Sequence, residues 1–185
     1  RLGSAAARLF PARVLADFRH IDALINNAGQ SLTRQTQDTT DEEWHRMLDE
    51  NLTSAFYATR AVLPGMISRR EGRIVNVSSI WGLVGGSMEA AYSAAKAGLL
   101  GFTKALAQEE GPSGITVNAV APGATRTDML NEYSDETLRT IERETPLGRL
   151  CEPMDIARTI LWLCGEDAAM LTGQVLSPNG GRVII

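Results

Sequence analysis

Four short apolar runs, residues 21–26, 74–77, 115–120 and 174–177, punctuate this chain, with long helix-patterned stretches between them. That alternation constrains the fold more than any other feature. A run of four to six residues rich in Ile and Val, closed by turn-forming residues, suits a buried strand. A helix between two such runs carries the chain back across the sheet, so the next strand starts in the same direction. The expected architecture is α/β: a doubly wound parallel sheet with helices on both faces. The length of 185 residues suits one domain with a sizeable core. No internal repeat or low-complexity segment marks a boundary.

Local signals place the helices. Thr40 followed by Glu43 is a capping-box pattern, and Trp44, Met47, Leu48, Leu52 and Phe56 then recur on one stripe. Pro64 lacks the N–H for the next backbone bond and is expected to disturb this helix. A second helix starts near Ala90, runs through Leu99, Phe102 and Leu106, and meets a stop signal at Gly111-Pro112. Pro153 opens a third, which Gly165 ends after Cys164. Residues 1–20 read as a helix leading into the first strand. Residues 128–144 are polar and helix-patterned.

Composition narrows the function. The net charge is −4 and no basic tract exceeds Arg69-Arg70, so nucleic acid is not an expected partner. No apolar run approaches membrane-spanning length, and the first residues lack the apolar core of a signal peptide. Cys151 and Cys164 are expected to be reduced, packed thiols, which fits a cytoplasmic location. His20 and His45 are the two histidines, without ligand-spaced partners, so no metal site is expected.

Several residues can carry chemistry. Tyr92 and Lys96 stand four apart, on one helical face. An ammonium beside a phenol favours the phenolate, so Lys96 is expected to lower the Tyr92 pKa and fit it for proton transfer to or from an alcohol oxygen. Ser78 and Ser79 close the strand at 74–77, where ligands border a parallel sheet, and either hydroxyl can bond a carbonyl oxygen or simply cap a turn. Asn51 is a poor helix former inside a helix. It can bond a neighbouring turn, hold a water, or lie on the surface. Asn26-Asn27-Ala28-Gly29 and Pro122-Gly123 are turns at strand ends where a flat ligand can approach the backbone.

Together, Asn26-Asn-Ala-Gly29, the helix Asn51, Ser79 thirteen residues before Tyr92, Tyr92-x-x-x-Lys96, Pro122-Gly-x-x-x-Thr127 and Asn179-Gly-Gly181 resemble the short-chain dehydrogenase/reductase family. The resemblance runs from Ile21 to Gly181 and implies a Rossmann-like fold using NAD or NADP. By its spacing Ser79, not Ser78, binds the substrate oxygen. Tyr92 is then the proton donor in ketone reduction, and Lys96 lowers its pKa and holds the nicotinamide ribose. Asn51 anchors a relay water. Asn27, Ala28 and Gly29 line the adenosine-side ribose. Pro122, Gly123, Thr125 and Thr127 contact the nicotinamide end, and residues 128–144 form a substrate lid. The resemblance also implies a homotetramer. Within the family the chain is most similar to 3-oxoacyl-acyl-carrier-protein reductases, which implies a small-molecule or carrier-bound carbonyl substrate. Ser-Ser-Ile-Trp-Gly82 also resembles reductases that finish the 5-aminopentanone modification of elongation factor P.

The family's opening strand, Thr-Gly-x-x-x-Gly-x-Gly loop and helix have no counterpart before Ile21. The sequence therefore reads as the C-terminal two-thirds of the fold, without its first three strands, its pyrophosphate cradle or the residues that choose NAD or NADP. Two expectations follow: a piece of a full reductase, which we favour, or a truncated homologue acting as a non-catalytic oligomeric scaffold. Arg19 and Cys151 stand where the family usually has Gly.

Overall fold

The computed structural model describes residues 13–14, 16–131 and 133–185. Of the helix expected over residues 1–20, positions 13–14 and 16–18 are helical, and positions 1–12 and 15 lie outside the described residues.

The sheet has four parallel strands in the order β1 (Ala23–Asn26), β2 (Gly72–Val77), β3 (Ile115–Val120) and β4 (Val175–Leu176). β2 and β3 pair along their whole length, from Gly72 with Ile115 to Val77 with Val120. The register places Asn26 opposite Asn76. All the strands therefore finish together, and their C-terminal ends form one rim. β1 reads as a buried strand of the complete fold that exposes an edge when the first three strands are missing; here it is half-buried and Ile25 is 40% exposed. Among the described residues it pairs with β2 alone, which makes it an edge strand.

Side chains alternate across the sheet, and two cores result. On one face Ile74, Ile115 and Val117 meet Val62 and Met66 of helix α2 (Ser54–Arg69) and Leu106 and Ala107 of helix α4 (Ala90–Glu110). On the other, Val75 and Val120 meet Ile156 and Leu163 of helix α6 (Pro153–Cys164). Each fully buried Ile, Leu or Met contributes about 1.5–3 kcal/mol of transfer free energy.

Thr40 caps α1 (Asp41–Leu48) with the full capping box, its hydroxyl accepting from Glu43 N–H. α6 begins and ends where Pro153 and Gly165 predict. The stretch from 40 to 69 departs from expectation in the position of its irregularity. α2 continues through Pro64 to Arg69, because Val62 and Met66 on either side are locked into the core. The widened turn lies earlier, where Asp49–Thr53 adopts a π-helical turn between α1 and α2. Short α3 (Ile80–Val84) follows β2 directly, and α5 (Asp135–Glu144) lies within the polar stretch.

Candidate active site

The strand-end rim gathers most of the predicted residues. Lys96 is 3% exposed, and its Nζ donates to the Val77 carbonyl at 2.8 Å. Tyr92, one turn earlier on α4, is 7% exposed, with Lys96 Nζ 5.6 Å from its ring centre. Met47, Ala91, Leu32 and Trp81 pack around Tyr92.

The two serines separate cleanly. Ser78 Oγ donates to the Lys96 carbonyl at 2.9 Å, a structural tie between β2 and α4. That tie explains Gly82, since a β-carbon there would meet Ser78 Oγ and the Lys96 backbone. Ser79 caps α3, accepting from Trp81 N–H at 3.1 Å. The Ser79 hydroxyl also lies beside Tyr92 and pulls its pKa down. The reading of Ser79 as a turn cap therefore holds.

The expectation that Lys96 lowers the Tyr92 pKa is not met. Burial pushes the Tyr92 phenol up to about 12, against a downward pull from Ser79 and a further push from the Glu89 charge. Burial also lowers the Lys96 ammonium to about 8. A buried phenolate and a buried ammonium are both penalised, and this ammonium is directed at Val77. Tyr92 is thus a phenol at neutral pH.

Asn51 sits in the π-turn, 1% exposed. Its Nδ2 donates to the Gln30 and Met47 carbonyls at 2.9 and 3.0 Å. Its Oδ1 is buried without a partner. A β-carbon on Gly29 would collide with that Oδ1 and lie 3.1 Å from Lys96 Nζ. Gly29, Asn51 and Lys96 therefore enclose one polar niche. An acceptor left unpaired costs about 1–3 kcal/mol, so Asn51 Oδ1 is an unmet acceptor beside Gly29. Asn27 and Ala28 lie exposed just before it.

Pro122 and Gly123 are laced into the rim. The Pro122 carbonyl accepts from Ile80 N–H at 3.0 Å, and Gly123 N–H donates to the Pro178 carbonyl at 3.1 Å. Gly123 packs so closely on Asn179 that a β-carbon would sit 2.9 Å from its Cα. Thr125 and Thr127 follow, but their hydroxyls bond locally, to the Gly123 and Thr125 carbonyls. The geometry brings Asn51, Ser79, Tyr92, Lys96 and Gly29 together, and it leaves Thr125 and Thr127 satisfied in their own turn.

Sequence reasoning missed Glu89. It is 9% exposed, raised by burial and opposed by a hydrogen bond with Trp81, and it acts on Tyr92 one turn away. No spacing signal marks it. Cys151 and Cys164 are free thiols, and burial raises both pKa values. Among the described residues no cluster of His, Cys, Asp and Glu can hold a metal, and no helix is long and apolar enough to cross a membrane.

The arrangement has close counterparts. A family described as enoyl-(acyl carrier protein) reductase matches residues 4–182. The 3-oxoacyl-[acyl-carrier-protein] reductase of Vibrio cholerae is 43% identical over 169 residues, 91% of this chain and 69% of that protein. The acetoacetyl-CoA reductase of Shinella zoogloeoides is 45% identical over 175 residues, 94% of this chain and 73% of that protein. The crystal structure of 3-oxoacyl-[acyl-carrier protein] reductase from Brucella melitensis superposes with a TM-score of 0.92 at 34% identity, covering 98% of this chain and 70% of that one. With a parallel sheet, a buried Ser79–Tyr92–Lys96 rim and relatives of this kind, the chain belongs to the short-chain dehydrogenase/reductase family of NAD(P)-dependent oxidoreductases.

Proposed function

We propose that the site reduces the 3-oxo group of an acyl thioester to the 3-hydroxyl. The observation that carries this reading is Tyr92, held as a phenol beside the Ser79 hydroxyl on the strand-end rim. The Ser79 hydroxyl donates to the substrate carbonyl oxygen and stabilises charge developing there. Tyr92 then delivers its proton to that oxygen. A bound nicotinamide, NADPH or NADH, supplies the hydride. Lys96 and Asn51 hold the ribose side and a relay water in the niche beside Gly29. Asn27 and Ala28 line the adenosine-side ribose, and Pro122, Gly123, Thr125 and Thr127 the nicotinamide end. Residues 128–144 serve as the substrate lid. Acyl carrier protein and coenzyme A present the same thioester chemistry, and relatives named for each support it.

Two further features belong to this reading. The two free thiols suit a reducing, cytoplasmic compartment. Exposed apolar residues on α6 and at the chain's end, with Leu161 73% and Ile184 87% exposed, suit a homotetramer that covers them.

The test follows loss of nicotinamide absorbance with NADPH and with NADH. Acetoacetyl-CoA and a 3-oxoacyl group on acyl carrier protein are compared with a simple ketone lacking the thioester. Faster turnover of the thioesters is expected. Turnover of the simple ketone alone would overturn the thioester assignment.

A further inference from the structure

Helix α5 has no buried residue. Its interior-facing positions, Leu138, Thr140, Ile141 and Glu142, are only half-buried. Among the described residues, its side-chain ties to the rest of the molecule come from two arginines. Arg126 reaches Glu142 through Nη2 and Glu152, at the start of α6, through Nε at 3.2 Å. Arg182 bonds Glu144 Oε2 at 3.0 Å and the Ile141 carbonyl at 3.2 Å. The helix ends at Thr145, which is 5% exposed and bonds back to the Ile141 carbonyl at 2.8 Å. Arg126 is itself fixed at the backbone. Its N–H donates to the Cys151 carbonyl at 2.9 Å, within the paired segments Thr125 and Cys151.

We propose that Arg126 is a positioning residue, an ionic latch that ties helix α5 to the turn after β3, so that the lid is released by breaking ion pairs and not by unpacking a core. Helices attached with few buried apolar contacts open at the low end of a protein's local stabilities. Thr145 is the fixed end about which α5 moves. Arg126 suits the task because a guanidinium can engage carboxylates on two elements at once, which a lysine ammonium does less well. Its place between Thr125 and Thr127 links the lid to the turn assigned to the nicotinamide end. The inference rests on the reading of residues 128–144 as a substrate lid.

The experiment combines hydrogen exchange with steady-state kinetics on the wild type, R126A, R126K, E142Q and the double variant R126A/E142Q. Half-exposed pairs are worth little individually, so R126A is expected to speed exchange across 135–144 by about two- to five-fold. Exchange in α4 should stay unchanged. E142Q should speed exchange less than R126A, since the glutamine amide oxygen can still accept from Arg126. The double variant should be no faster than R126A, the sign of a shared interaction, and R126K should lie between R126A and wild type. KM for the carbonyl substrate should rise by a similar factor with kcat nearly constant. Unchanged exchange in R126A overturns the latch. Faster exchange with unchanged KM overturns the lid assignment and, with it, the proposal. A wild type with no hydride transfer would instead strike the proposed activity, and the exchange data would still read the latch.

Discussion

Lys96 Nζ donates to the carbonyl of Val77, the last residue of β2, at 2.8 Å. The cation is therefore anchored to the strand end and not to the Tyr92 hydroxyl, which remains a phenol in its apolar surround. The helix places both groups on one face, while the sheet decides what the ammonium bonds.

Stability should depend on pH through these two groups. The Lys96 pKa is lowered from 10.5 to about 8. Between those values the unfolded chain binds more protons than the folded one, so stability rises with pH from about 8 towards 10.5. The full difference is on the order of 3 kcal/mol. The Tyr92 pKa is raised from 10.0 to about 12, so its contribution is complete below 10 and is lost as pH rises towards 12. Urea unfolding of wild type should show a gain between pH 8 and 10, and Lys96→Met should flatten it. An equal slope in both proteins would show that Lys96 is not the group responsible.

Tyr92→Phe keeps the ring in its packed site and removes the donor. In a full-length enzyme turnover should fall at least ~10²-fold, with nicotinamide affinity by direct titration little changed. In wild type, reduction should persist through neutral pH, because the phenol is protonated there. Near-normal turnover by the Phe variant would remove Tyr92 from the chemistry.

The serines offer a paired test. Ser79→Ala should cost about 10²–10³-fold in kcat, the usual effect of losing a donor to a developing oxyanion. Ser78→Ala should leave kcat within a few-fold and lower stability by about 1 kcal/mol, because it removes a buried bond to the Lys96 carbonyl. Reversed effects in the two variants would exchange their roles.

Two glycines should respond oppositely to alanine. At Gly29 the added methyl meets Asn51 Oδ1 and Lys96 Nζ. Turnover should drop sharply, and stability should fall by about 1–3 kcal/mol, as for other overpacked sites. At Gly101, inside α4, nothing lies within 4 Å of the new carbon. Alanine there should stabilise by about 0.5–1 kcal/mol through helix propensity. Thermal melts of both variants decide the matter.

Sedimentation tests the proposed assembly. A tetramer at micromolar concentration is expected, and Leu161→Lys, at a 73%-exposed apolar position on α6, should weaken it. A wild type that sediments as a monomer would rule the tetramer out.

Much of this was legible in the sequence, for identifiable reasons. β2 and β3 are buried on both faces and so are written as β-branched runs, and α6 carries its start and stop in Pro153 and Gly165. Tyr92 and Lys96 share a face by spacing alone. The family spacing chose Ser79 over Ser78, and the structure adds what the two hydroxyls bond: Ser78 the Lys96 carbonyl, Ser79 the Trp81 N–H. Lys96's bond to Val77 was invisible because it joins residues nineteen apart through a carbonyl every residue possesses. Glu89 was missed because a buried carboxylate looks like any solvated one until its neighbours are known. The persistence of α2 past Pro64 reflects packing that outweighs local preference.

The π-turn at Asp49–Thr53 has a genetic consequence. Such a turn holds one residue more than the regular spiral needs. Deleting a single residue between 49 and 53 would let α1 and α2 fuse into one uninterrupted helix with better backbone hydrogen bonding. The same deletion would swing Asn51 roughly 100° around the axis, since each residue turns an α-helix by that much, and its Oδ1 would leave the niche beside Gly29. A one-codon loss here would therefore spare the fold and disarm the site, and a screen for soluble protein alone would pass it.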